Sequence, residues 1–170
     1  MKNYLMLVFA FVILSACQNE MKIGYVDNVK LVNEYQEKKD IETNLKGKIA
    51  QYEKRRDSLG QAFQLEIREA ESKASKMAPA DLQKLQQEFQ QKEQILTQRL
   101  QFEQGQITQE SRTLNDTLKN KVIKFVKNYG EKNGYNYILG SNEGGSVMFG
   151  EEKNDLTQVI LDALNDDYKK

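Results

Sequence analysis

The chain has 170 residues, 25 basic and 25 acidic side chains, 29% charged residues and a mean hydropathy of -0.73. That balance leaves too little apolar material for a large globular core, favours an elongated shape, and gives no sign of a nucleic-acid partner. Histidine is absent and Cys17 is the single cysteine, so the body lacks the commonest acid-base residue, the commonest metal ligand and the most reactive nucleophile. Neither an enzyme nor a metal site, cofactor or small-molecule substrate is expected.

The charge is unevenly spread. Residues 28 to 134 carry 20 basic and 16 acidic side chains, and residues 135 to 170 carry 3 and 7. A mildly basic arm on an acidic base would have this distribution, as would an ordinary solvated surface.

At the amino end, Lys2 precedes an unbroken apolar run from Leu5 to Leu14, followed by Ser15 and Ala16. Ten residues cannot cross the hydrocarbon core, so 1–16 is expected to be a secretory signal rather than a membrane span. Leu14-Ser15-Ala16-Cys17 resembles the lipobox of bacterial lipoproteins. The resemblance implies cleavage before Cys17, lipidation of its sulfur, and acylation of the new terminus. Several acyl chains anchor stably where one is marginal. Residues 17–21 would then be a short linker that keeps the folded part near a membrane. The other reading is a soluble exported protein with an incidental cysteine at its cleavage site.

Lys22 to Val26 reads as a strand, with Asp27 or Asn28 available to cap a short helix from Val29 to Tyr35. From about Glu37 to Lys132 an apolar residue recurs every three or four positions, which is one face of a helix sustained far beyond ordinary length. The outgoing seam is Leu45, Ile49, Tyr52, Leu59, Phe63, Ile67, Ala70, Ala74 and Met77. The returning seam is Leu82, Leu85, Phe89, Leu96, Leu100, Ile107, Leu114, Leu118, Val122 and Phe125. Between them Met77-Ala78-Pro79-Ala80-Asp81 is expected to be the tip of a hairpin, because Pro79 ends one helix and suits the first turn of the next.

On the outgoing helix, seven- and eleven-residue spacings both fit, and Arg56 falls at a seam position. Gly47 and Gly60 are weak points, costing about 1 kcal/mol each relative to alanine. Local bending is their plain meaning, and flexibility of an arm that opens and closes is the functional one. The return has a clearer period, with Leu85, Leu96, Ile107, Leu118 and Tyr129 each eleven apart, which favours a nearly straight pairing. Folding symmetrically about Ala78 and Pro79 would set Tyr52 opposite Gly105, suggesting that the glycine makes room for the ring. Leu65, Ile95 and Phe102 lie off the seam, either as ordinary exposed hydrophobes or as contacts for another subunit or an apolar client.

Beyond Asn133-Gly134 the period changes. Tyr135 to Leu139 and Ser146 to Phe149 read as strands, expected to form a β-hairpin around the glycine-rich stretch from Gly140 to Gly145. Gly140 to Gly150 lacks the lysine and following Ser/Thr of a phosphate-binding loop. Asp155-Leu156-Thr157-Gln158 resembles a capping box opening a last helix. Three short strands are too few to stand alone, so Ile23, Tyr25, Val26, Tyr137, Ile138, Leu139, Val147, Met148 and Phe149 are expected to join copies of the chain. The expected fold is mainly α with a small β part: an arm over 37–132, on a body formed by 22–36 and 133–170 that oligomerisation completes.

The order of these parts is similar to that of the Skp/OmpH family of periplasmic chaperones. The likeness rests on Ile23-Gly24-Tyr25-Val26-Asp27, on Gly134 to Leu139, on Val147-Met148-Phe149, and on the ending from Asp155 to Asn165. It implies a homotrimer whose strands form one β body, with helical arms around a cavity that holds unfolded outer-membrane β-barrel proteins without ATP. Two departures stand out. Members are commonly soluble and strongly basic, whereas this chain carries a lipobox and has 24 basic and 25 acidic residues from Cys17 onward. The alternative from another class is a structural envelope lipoprotein, a coiled-coil spacer or tether without clients.

Overall fold

The computed structural model describes residues 21–142 and 144–169. In chain order it contains β1 (Ile23–Asp27), α1 (Asn28–Glu34), α2 (Gln36–Ala74), α3 (Pro79–Lys132), β2 (Tyr137–Ser141), a single 3-10 turn (Glu152–Asn154) and α4 (Thr157–Tyr168). The long antiparallel hairpin is present as expected. At about 1.5 Å per residue, the 39 residues of α2 span roughly 58 Å.

Asp27 caps α1, its carboxylate accepting from the Val29 and Lys30 N–H groups at 2.9 Å each. At the tip, Ala78 is extended and Pro79 occupies the first turn of α3, where its missing N–H costs nothing. At the far end of α3, Gly134 adopts a φ of 67°, which lets the Tyr135 N–H reach the Gly130 carbonyl at 3.0 Å and terminate the helix.

Every proposed seam residue is buried or half-buried except Ile49, which is exposed. Phe63 and Phe89 pack ring against ring across the seam, 5.8 Å between centroids. Along one flank, four ion pairs cross between the helices: Glu37 with Lys121, Lys48 with Glu110, Arg55 with Glu103 and Glu66 with Lys92. Each joins residues equidistant in sequence from Pro79, so the symmetric fold-back holds over the whole arm. Exposed pairs contribute about 0–1 kcal/mol each. Their larger effect is on register, because the signs on α2 run minus, plus, plus, minus and are matched in order on α3.

Three expectations are corrected. Arg56 does not enter the seam; its guanidinium is exposed and pairs with the adjacent Asp57 at 2.8 Å. Gly105 makes no room for Tyr52: a side chain there would meet nothing within 4 Å, and the tyrosine is buried without its help. The capping box is only half made. Asp155 accepts from the Thr157 N–H at 2.8 Å, but α4 begins one residue later than a box requires, and Gln158 turns to Asp162 instead.

The strands differ most from expectation. β2 runs Tyr137–Ser141 rather than from Tyr135, and it pairs in parallel with β1, from Ile23 opposite Tyr137 to Asp27 opposite Ser141. A parallel pair requires a crossover, and the whole helical hairpin is that crossover. Ser146 to Phe149 form no strand. The second edge of β1 is already taken, since the Leu156 N–H bonds the Tyr25 carbonyl at 2.9 Å and Asp155 bridges Tyr25.

The core gathers Val26 from β1, Leu31 and Tyr35 from α1 and its end, Leu118 and Val122 from α3, and Leu156, Ile160, Leu161 and Leu164 from the last segment. Close approach demands glycine at Gly24, where a side chain would lie 2.4 Å from Leu156.

Gly105→Ala is expected to raise the melting temperature, by about 1 kcal/mol of helix propensity, since the added methyl meets open space. A lower melting temperature would show that the glycine is needed where it stands.

Candidate functional site

The arm is held to the base by a compact joint. Tyr35 ends α1 with its ring fully buried, and its hydroxyl donates to Glu37 Oε2 at 2.6 Å. Lys121 from α3 reaches the same oxygen at 2.6 Å and lies 5.3 Å from the centre of the Tyr168 ring. Tyr168, at the end of α4, meets Tyr35 edge to face at 6.0 Å and donates to Asp40 at 3.0 Å. The first turn of α2 has no cap of its own, and Asn165 of α4 supplies one, accepting from the Gln36 N–H at 2.9 Å. Four segments thus meet where the arm leaves the base.

Burial, with the hydrogen bond to Glu37 next in weight, pushes the Tyr35 hydroxyl well above the ordinary tyrosine range. The bond to Asp40 raises that of Tyr168. None of this joint was anticipated from sequence. Its one legible sign was the placing of Glu37 and Lys121 at equal distances from the tip.

The expected contact residues divide by exposure. Val26 belongs to the chain's own core, and Ile138 is half-buried against Gly130 of α3, 3.2 Å from where a side chain on that glycine would begin. Tyr25 and Val147 are half-buried; the Tyr25 ring closes over Gly150. On the side of the two-stranded sheet away from Val26 and Ile138, Ile23, Tyr137 and Leu139 are exposed together. Met148 and Phe149 are 89% and 85% exposed on the loop that follows. Val29, Ile123 and Val159 add exposed apolar surface at the base that had not been singled out.

On the arm, Leu65, Ile95 and Phe102 are all exposed. Ile95 and Phe102, two helical turns apart, share one side of α3, and Leu65 is on α2. Met77 at the tip is half-buried and Pro79 is exposed. Cys17 lies outside the described residues. Among the described residues no group of three potential metal ligands occurs, and no helix is long and apolar enough to cross a membrane.

This architecture is a long hairpin that closes a parallel strand pair and leaves apolar surface at its base. The family described as outer membrane protein (OmpH-like) matches residues 22–164, nearly all of that architecture. The chain belongs to this OmpH-like family. A crystal structure of an OmpH-like protein from Caulobacter crescentus CB15, given there as a candidate outer membrane chaperone, is similar in fold with a TM-score of 0.77. It is 14% identical, and the alignment covers 89% of this chain and 88% of that one. A search among curated proteins found no sequence match.

Because the folded state keeps the Tyr35 proton where the unfolded chain loses it, the joint's contribution is complete below about pH 10 and declines as pH rises above that value. Tyr35→Phe should flatten the fall of unfolding free energy above about pH 10. A slope identical to that of the unaltered chain would show that the joint does not hold the Tyr35 proton beyond its ordinary range.

Proposed function

We propose that the chain is an ATP-independent holdase of the periplasm, which binds unfolded outer-membrane β-barrel proteins and keeps them from aggregating. Three copies associate through their bases, and the arms enclose a cavity. The observation that carries this reading is the arm itself. Its apolar contacts are consumed along one seam, so the outward faces of both helices remain available. It is also rooted in a base whose exposed Ile23, Tyr137 and Leu139 form a ready face for further copies. The segment Val147 to Phe149, which forms no strand among the described residues, supplies further strand-forming residues to such an assembly. Membership in the OmpH-like family and the printed description of the Caulobacter relative support the same reading. The chain works by binding, without catalysis or a cofactor.

Cys17, in its lipobox setting, anchors the protein to a bacterial membrane on the periplasmic side. Metabolic labelling with a fatty acid should mark the chain, and Cys17→Ser should abolish both the label and its recovery with membranes. A labelled Cys17→Ser variant would remove the anchor from this account.

The lipid-free chain from Gln18 onward is expected to sediment as a trimer and to suppress aggregation of a urea-unfolded outer-membrane barrel protein at one trimer per client. A trimer that leaves aggregation unchanged would instead favour the spacer reading.

A further inference from the structure

Lys22 is fastened to the end of α3 that lies farthest from the arm's tip. Its N–H donates to Asn136 Oδ1 at 2.7 Å, and its carbonyl accepts from the Asn136 N–H at 2.8 Å. Its ammonium donates to the Asn133 carbonyl at 2.9 Å and lies 4.1 Å from the centre of the Tyr135 ring. Asn133 closes α3, whose first residue is Pro79 at the tip. The chain therefore enters β1 at one pole of the molecule, and the hairpin turns at the other. Lys22, Lys132, Asn133 and Asn136 are exposed at the entry pole, so its surface is polar.

Two lengths then decide what each pole can touch. Five residue steps separate Cys17 from Lys22. A fully extended chain advances at most about 3.6 Å per step, which limits their separation to about 18 Å. The 54 residues of α3, at about 1.5 Å each, span roughly 81 Å between the poles. An anchor at Cys17 thus brings the entry pole to the bilayer and cannot bring the tip there while the arm stands.

The arm also has little to hold it flat. A helix lying in the headgroup layer needs an apolar face of its own, and those of α2 and α3 are turned on each other in the seam. Outside the base, Ile49, Leu65, Ile95 and Phe102 are the large apolar residues left exposed on the arm, spread over two helices.

We infer that the polar pole around Lys22, Lys132, Asn133 and Asn136 is the surface that meets lipid headgroups, and that the arm projects away from the anchoring membrane. This inference rests on the anchor reading above. The fastening of Lys22 to Asn133 and Asn136 keeps β1 in place where the tether enters the fold. The outward faces of the arm are presented at a distance from the bilayer that holds the protein.

The test uses the acylated protein, purified in detergent and added to preformed phosphatidylethanolamine and phosphatidylglycerol vesicles that carry a headgroup-attached energy acceptor. Cys17 is the single cysteine and its sulfur is occupied by lipid, so a thiol-reactive donor dye marks only an introduced cysteine. Lys132→Cys places the dye at the pole and Ala78→Cys places it at the tip, both at exposed positions. With helix content equal to that of the unaltered chain, transfer from the pole dye should exceed transfer from the tip dye by about tenfold or more, given their separation along α3.

Equal transfer from the two dyes, or stronger transfer from the tip, overturns the orientation while the anchor stands, because the arm then lies along the bilayer or turns toward it. Dye uptake by the chain without an introduced cysteine, or failure of the unaltered chain to float with the vesicles, overturns the anchor and the orientation together.

Discussion

The structure depends on the register of two helices folded about Pro79. If α3 returned out of step with α2, β1 and β2 would not come into register, and the Leu31, Tyr35, Leu118 and Val122 layer would not close. Two kinds of contact hold that register. The seam supplies most of the free energy through half-buried apolar contact, and the four flanking ion pairs, weak individually, discriminate among alignments of the same apolar surfaces. A thin two-helix arm has no third element to correct an error of alignment, so its charges take on a role that a globular core would not ask of them.

The base converts that alignment into a rigid attachment. Asn165 and Tyr168 of α4 reach the first turns of α2, while Lys121 of α3 meets Glu37 and the two tyrosine rings. Contact between α4 and both arm helices makes the arm's direction a property of the base rather than of a flexible linker. The direction of the hairpin is thus set where α2 begins and α4 ends, against Lys121 on α3.

The base is also the least self-sufficient part. Its sheet has two strands, one edge of β1 is filled by a single bond from Leu156, and the outward side shows Ile23, Tyr137 and Leu139 to solvent. So small a sheet with one apolar face uncovered is a poor endpoint for a chain of this length. The arm differs in kind, because its uncovered residues are few, spaced along the helix and set among amides.

The arm was legible because a helix writes its buried face into the sequence at fixed intervals, and Pro79 marks where that face reverses. Nearly all of the seam, the tip and both ends of the hairpin followed from that period alone. Ile49 and Arg56 were misplaced because, near the edge of a seam, spacing alone does not separate a packed position from an exposed one. Gly105 was misread for a related reason: facing a tyrosine across the hairpin in number is not the same as pointing toward it. The strands were harder. A few β-branched or aromatic residues, Ile23, Tyr25 and Val26 in β1, announce a strand but not its partner, and the parallel pairing of β1 with β2 arises only when the hairpin has carried Tyr137 back beside Ile23. The same return filled the second edge of β1 with Asp155 and Leu156, and Val147 to Phe149 form no strand among the described residues. Local periodicity therefore determined the helices and their turn, whereas contacts between residues more than a hundred positions apart were decided only by tertiary structure, because no local interval encodes them.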